Sequence, residues 1–128
     1  VIAFRKKHRC ISRKLDNAHC GFPDISVNGG DPEYTQITPQ TRTMNVLYAG
    51  FDPKKQEDDV VYLMLNPYWE SISLRLPALP EGLAWGLCID TAAPDKVWIH
   101  EEPQLCKAAY CKLEGRSAKV LTVIRKEV

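Results

Sequence analysis

Three kinds of side chain in this 128-residue chain have types and spacings that could do chemistry. The first is the cluster Asn66-Pro67-Tyr68-Trp69-Glu70. Tyr and Trp combine a flat apolar face with a polar edge, and such faces stack on the apolar face of a pyranose. Asn66 and Glu70 beside them can hydrogen-bond hydroxyls. One reading is therefore a carbohydrate contact made by Tyr68, Trp69 and, near a later loop, Trp98. The other is that Trp69 packs in a core or an interface, as large aromatic side chains commonly do. Trp85 alternates with Leu87 and Ile89 and reads as core.

The second kind is the carboxylates. Asp58-Asp59 and Glu101-Glu102 are adjacent pairs. Neighbours on extended backbone point apart, so neither pair can flank one bond, and both read as solvated loop charges. The third kind is histidine and cysteine. His8, His19 and His100 stand far apart, and His8 reads as a packed, hydrogen-bonded histidine. Cys10, Cys20, Cys88, Cys106 and Cys111 are odd in number and irregularly spaced, which argues against a secreted disulfide framework. Cys106 and Cys111 have a spacing seen in some zinc sites, but no second pair completes a tetrahedral set. The expectation is five thiols, mostly buried, in a cytosolic protein with no metal and no cofactor. Asn28-Gly29-Gly30-Asp31 is turn chemistry and not a phosphate loop.

Short strands must position these residues. Val60 to Leu65 is a near-continuous apolar run, the pattern of a strand buried on both faces. Ile72, Leu74 and Leu76 alternate with Ser71, Ser73 and Arg75, the period of a half-buried strand. Pro67 between them lacks an N–H and should interrupt the ladder. Further strands are expected at Ile25–Val27, Thr43–Phe51, Trp85–Asp90, Ala108–Leu113 and Ser117–Arg125, with a brief pairing over Lys96–His100. Met44, Val46 and Tyr48 should share one face, as should Ala118, Val120, Thr122 and Ile124. The stretch from Phe51 to Asp58 reads as a polar hairpin loop, and residues 16–41 as a turn-rich excursion. Val1, Phe4, His8, Ile11 and Leu15 fall at helical spacing, so residues 1–14 read as a helix in which the chain begins midway. The fold class is all-β, an antiparallel, Greek-key-like β-sandwich preceded by one truncated N-terminal helix.

The length suits a single domain with a real core. A net charge of +1 gives no electrostatic case for nucleic acid or an acidic membrane surface. No apolar run is long enough to span a bilayer.

The apolar strand ending in Asn66, the aromatic pair with Glu70, and the alternating strand closed by Leu76-Pro77 resemble the C-terminal domain of bacterial glycogen-debranching enzymes and isoamylases. These enzymes belong to the alpha-amylase superfamily, glycoside hydrolase family 13. Val1-Ile2-Ala3-Phe4-Arg5-Lys6-Lys7-His8 is similar to the family's Leu-Ile-x-Leu-Arg-x-x-His helix, which leaves the catalytic (β/α)8 barrel, with Arg9 where Pro is usual. Pro23-Asp24-Ile25-Ser26 is similar to the lead into a Trp-His-Gly strand, where this chain has Val27-Asn28-Gly29. Thr41-Arg42-Thr43-Met44, Ile89-Asp90-Thr91-Ala92 and Gly115-Arg116-Ser117-Ala118-Lys119-Val120-Leu121 resemble three later family segments, in the family's order.

The resemblance implies that residues 1–14 are a remnant of the last barrel helix and residues 15–128 a non-catalytic sandwich. Its partner would be the barrel of the same parent chain, and it would contact α-glucan at most through its aromatics. The parent would hydrolyse α-1,6 branch linkages of glycogen. Family catalysis uses a carboxylate pair about 5 Å apart, and no acid of this chain matches either member. A rival class is a free-standing carbohydrate-binding module with an aromatic platform.

Overall fold

The structure is a computed structural model that describes residues 7–11, 15–18, 20–29, 43–92, 99–106 and 109–125, with only the backbone of 99–103. Apart from one 3-10 turn, the regular elements of the described chain are all strands. They are β1 (Ile25–Asn28), β2 (Met44–Asp52), β3 (Glu57–Asn66), β4 (Ile72–Arg75), β5 (Leu83–Asp90), β6 (Ile99–Cys106), β7 (Tyr110–Leu113) and β8 (Ser117–Arg125). Six strands form one antiparallel sheet in the order β1-β2-β3-β8-β5-β6, and β4 and β7 form a separate two-stranded ribbon. The ribbon packs on one face of the large sheet, giving a sandwich-like fold.

Most of the expected N-terminal helix lies outside the described residues. Its described part ends in a 3-10 turn, Arg9–Ile11. Strand β6 runs to Cys106, well beyond the short pairing expected near His100. Its sequence holds two glutamates and a proline, which hide strand character; Pro is tolerated because β6 is an edge strand.

The core lies between the ribbon and the large sheet. Leu47, Ala49, Val60, Tyr62, Met64, Trp85 and Leu121 meet Leu74, Leu76 and Leu113 of the ribbon side. Trp85 is buried, its ring centroid lies 5.7 Å from that of Tyr62, and its Nε1–H donates to the Pro77 carbonyl at 2.9 Å. The expected periodicity of β2 holds, and Met44, Val46 and Tyr48 share one face. Asn45, Leu47 and Ala49 face the core, while Met44, Val46 and Tyr48 line the opposite face. The core accepts Asn45 because its amide donates to Asn28 Oδ1 at 2.9 Å, and Asn28 in turn donates to the Tyr62 hydroxyl at 3.1 Å. In β8, likewise, Leu121 and Val123 pack on the core, while Val120 and Ile124 stand half-buried on the back.

The loop expected from Phe51 to Asp58 is shorter. The turn occupies residues 53–56 and β3 resumes at Glu57. Asp52 closes this turn, its Oδ1 accepting from the Lys54 N–H at 3.0 Å and from Arg9 at 3.2 Å. Among the described residues no helix is long and apolar enough to cross a membrane.

Candidate functional site

The cluster Asn66-Pro67-Tyr68-Trp69-Glu70 forms the connection from β3 to β4. Asn66 is only 1% exposed and organises it. Its amide nitrogen donates to the carbonyls of Glu70 at 2.8 Å and Glu114 at 3.1 Å, with a longer approach to Leu113 at 3.4 Å. Its Oδ1 accepts from the Tyr68 N–H at 3.2 Å. The Arg116 N–H donates to the Tyr68 carbonyl at 2.7 Å. Gly115 packs so closely that a Cβ there would lie 2.2 Å from the Trp69 carbonyl oxygen. Two turns are thereby locked together.

This rigid frame holds an indole out in water. Trp69 is 64% exposed, while Tyr68 is half-buried beside it with ring centroids 5.6 Å apart and planes inclined by 32°. Core packing within this chain is thus excluded for Trp69. Trp98, the third aromatic expected in a sugar contact, lies outside the described residues.

Four of the six segments that resemble the family meet here, whereas Pro23–Ser26 leads into β1 elsewhere and residues 1–6 lie outside the described residues. A groove of about 500 Å3 is lined by Met44, Leu65, Pro67, Thr91, Arg116 and Ala118, among others. Thr91 is tied across it, its hydroxyl accepting from the Ala118 N–H at 2.9 Å. The groove opens on the back face of the large sheet, the face away from the ribbon. There Val46, Tyr48, Leu63, Leu65, Val120 and Ile124 are only half-buried, and Met44 is 46% exposed.

A second set of groups gathers at the opposite end of the sheet. Asp58 and Asp59 are not solvated loop charges. They lie in β3 and point to opposite faces, as neighbours on a strand must. Asp58 accepts from the Cys20 N–H at 2.7 Å. Asp59, 4% exposed, lies with Oδ1 2.6 Å from His8 Nδ1 and accepts from the Cys10 N–H through Oδ2 at 3.1 Å. Both acids pin the first part of the chain to the sheet. The missed signal was the apolar run that follows them, which makes them strand residues.

Burial pushes the Asp59 carboxyl up, but the hydrogen bonds from His8 and the Cys10 N–H outweigh it and hold the group below its ordinary value. Asp59 is thus ionised at neutral pH, and His8 Nδ1 is the donor between them. An imidazole oriented by a carboxylate resembles half of a nucleophilic site. The thiol beside this pair is that of Cys10, and it is pushed far up by burial and by the Asp59 charge. A thiol so disfavoured as thiolate does not attack. The pair is a structural pin, although His8 and Asp59 line a cleft of about 470 Å3 with Lys7, Lys55 and Arg125.

The five cysteines are free thiols. Burial raises each of them, that of Cys88 to about 11. Among the described residues no three His, Cys, Asp or Glu side chains are grouped to hold a metal ion. No family model matches the chain, and no curated protein matches it.

Proposed function

We propose that this chain is a non-catalytic C-terminal β-sandwich domain of a glycogen-debranching-type glycoside hydrolase, a cytoplasmic enzyme acting on α-1,6 branch linkages of glycogen or related glucans. Its work is to pack on and stabilise the catalytic (β/α)8 barrel. The observation that carries this reading is the convergence of four of the six resembling segments. Met44, Asn66-Pro67, Thr91 and Arg116-Ser117-Ala118 come from four separate stretches and line one groove.

The apolar back face supports the same reading. Aliphatic side chains left half-buried over a broad sheet face are what a second body would cover. The 3-10 turn that follows His8 lies against β2 and β3, with Cys10 approaching the Tyr48 carbonyl on that side. A barrel feeding its last helix into this turn would arrive at the back face.

The sequence encoded directly before Val1 tests the reading. It should specify a (β/α)8 barrel with an Asp nucleophile and a Glu acid on strand ends. An unrelated domain there, or a start codon, overturns it. The second reading, a free-standing carbohydrate-binding module, draws on the exposed indole of Trp69.

A further inference from the structure

We propose that Cys106 and Cys111 are an oxidation-sensitive pair, which hydrogen peroxide converts to a disulfide stapling the β4–β7 ribbon to edge strand β6, with Lys119 directing the attack to Cys111. The pair belongs to the domain itself and does not depend on which parent enzyme carries it.

The register places the two thiols on facing layers. Cys106 ends β6 opposite Trp85, and directly opposed residues of antiparallel strands share a face, so its thiol points into the space between sheet and ribbon. Cys111 stands opposite Leu74 and points into the same space from the ribbon side. Both pack on the core, and both are half-buried, within reach of a small solute. They lie near enough that a charge on Cys111 would disfavour ionisation of Cys106. Cys88, the third thiol near this edge, is only 3% exposed.

Lys119 reaches from β8 into the same space. Its side chain is 15% exposed, and its ammonium lies 3.8 Å from Cys111 Sγ. It donates to the Lys112 carbonyl at 2.6 Å, with an Asp90 carboxylate oxygen 3.9 Å away. An ammonium fixed beside a sulfur favours its anionic form. Burial raises both thiols, and the Lys119 charge works against burial at each, more strongly at Cys111 than the opposing charge of Asp90. Cys10 differs, because there the neighbouring Asp59 charge adds to burial.

The chemistry has two steps. The Cys111 thiolate attacks one peroxide oxygen; an S–O bond forms, the O–O bond breaks, and the departing hydroxide leaves as water with the proton that the thiol gave up. The Cys106 thiolate then attacks the sulfur of this sulfenic acid; the S–S bond forms, the S–O bond breaks, and a second water leaves with the Cys106 proton. Two thiols lose two electrons and two protons, and one peroxide becomes two waters. Stacked layers lie roughly 10 Å apart, whereas a disulfide holds its Cα atoms about 4.4–6.8 Å apart, so closure draws the end of β6 and the ribbon together. Both can yield, since β6 pairs on one side only and the ribbon is a sheet of its own.

The test treats the native, reduced 128-residue chain with hydrogen peroxide, alkylates it and maps its peptides without reduction. The expected product is a monomer with Cys106 joined to Cys111, reversed by dithiothreitol. In Cys106→Ser, dimedone should add at Cys111. Lys119→Met should slow disulfide formation about three- to tenfold, because the thiolate fraction falls while the remaining thiolate gains nucleophilicity, and Lys119→Arg should keep the rate. Circular dichroism of each variant checks folding, and the mapping of wild type needs no variant. The proposal is overturned if Cys111 passes to the sulfinic acid with no disulfide formed, or if peroxide joins Cys88 to Cys106 or couples two chains instead. It is overturned too if Lys119→Met, folded, oxidises as fast as wild type.

Discussion

His8 and Asp59, fifty-one positions apart, are joined by a buried contact of 2.6 Å between Nδ1 and Oδ1. With the Cys10 N–H on the other carboxylate oxygen, the contact staples the first part of the chain to β3. Replacing Asp59 by Asn leaves the shape and removes the charged acceptor. Asp59→Asn should cost about 2–3 kcal/mol, read from urea denaturation, because a charge-assisted buried pair is broken. A loss under half of that would mean the segment is held by other contacts.

The same residue sets a pH dependence. Its carboxyl is held below the ordinary value in the folded state, so it stabilises the fold at every pH above about 4, the unfolded value. That contribution is lost as pH falls through the lower, folded value. Stability should therefore decline on acidification below about pH 4, and Asp59→Asn should show a shallower decline there. Parallel curves for the two proteins would contradict the assignment.

Asn66→Ala removes the donors that reach Glu70 and Glu114 and the acceptor that holds the Tyr68 N–H. Buried carbonyls left unpaired cost about 1–3 kcal/mol, so a drop of that size in unfolding free energy is expected. Trp69 emission anisotropy should fall in parallel, since its frame is loosened.

Two glycines separate packing from conformation. At Gly115 an added Cβ would meet the Trp69 backbone at 2.2 Å, and backbone cannot step aside cheaply. At Gly82 the space is open but φ is +88°, which an L side chain adopts only with strain. Gly82→Ala should cost about 1 kcal/mol and Gly115→Ala about 3 kcal/mol or more. Thermal unfolding of both variants checks the order, and equal losses would deny the close approach.

The thiols offer a chemical readout. Denatured, unreduced protein should titrate with all five cysteines reactive. In the native state Cys10 and Cys88 should label slowest, being buried with their thiols pushed up. Three or fewer reactive thiols after denaturation would mean oxidation or a disulfide.

Much of this architecture is legible in the sequence because strand periodicity depends on local order. Val60 to Leu65, Ile72 to Leu76 and Ser117 to Arg125 announce themselves by their apolar patterns. What the pattern does not carry is which face is inward. Met44, Val46 and Tyr48 share a face as their spacing predicts, yet the core takes Asn45, Leu47 and Ala49, with Asn28 of the neighbouring strand accepting from the buried Asn45 amide nitrogen. Asp58 and Asp59 look like loop charges because their partners at Cys20, His8 and Cys10 are remote.

The position of β8 governs when this protein can fold. It is the last of the described strands, yet it lies between β3 and β5 and supplies the seam that joins the two halves of the large sheet. Until it emerges from the ribosome, β1-β2-β3 and β5-β6 are separate fragments, each with an unpaired edge. Closing that seam demands long-range pairing, which slows folding and lengthens exposure to self-association. A chain halted at Gly115 should stay collapsed and aggregation-prone, and a synthetic peptide spanning β8 should restore cooperative unfolding when added in trans.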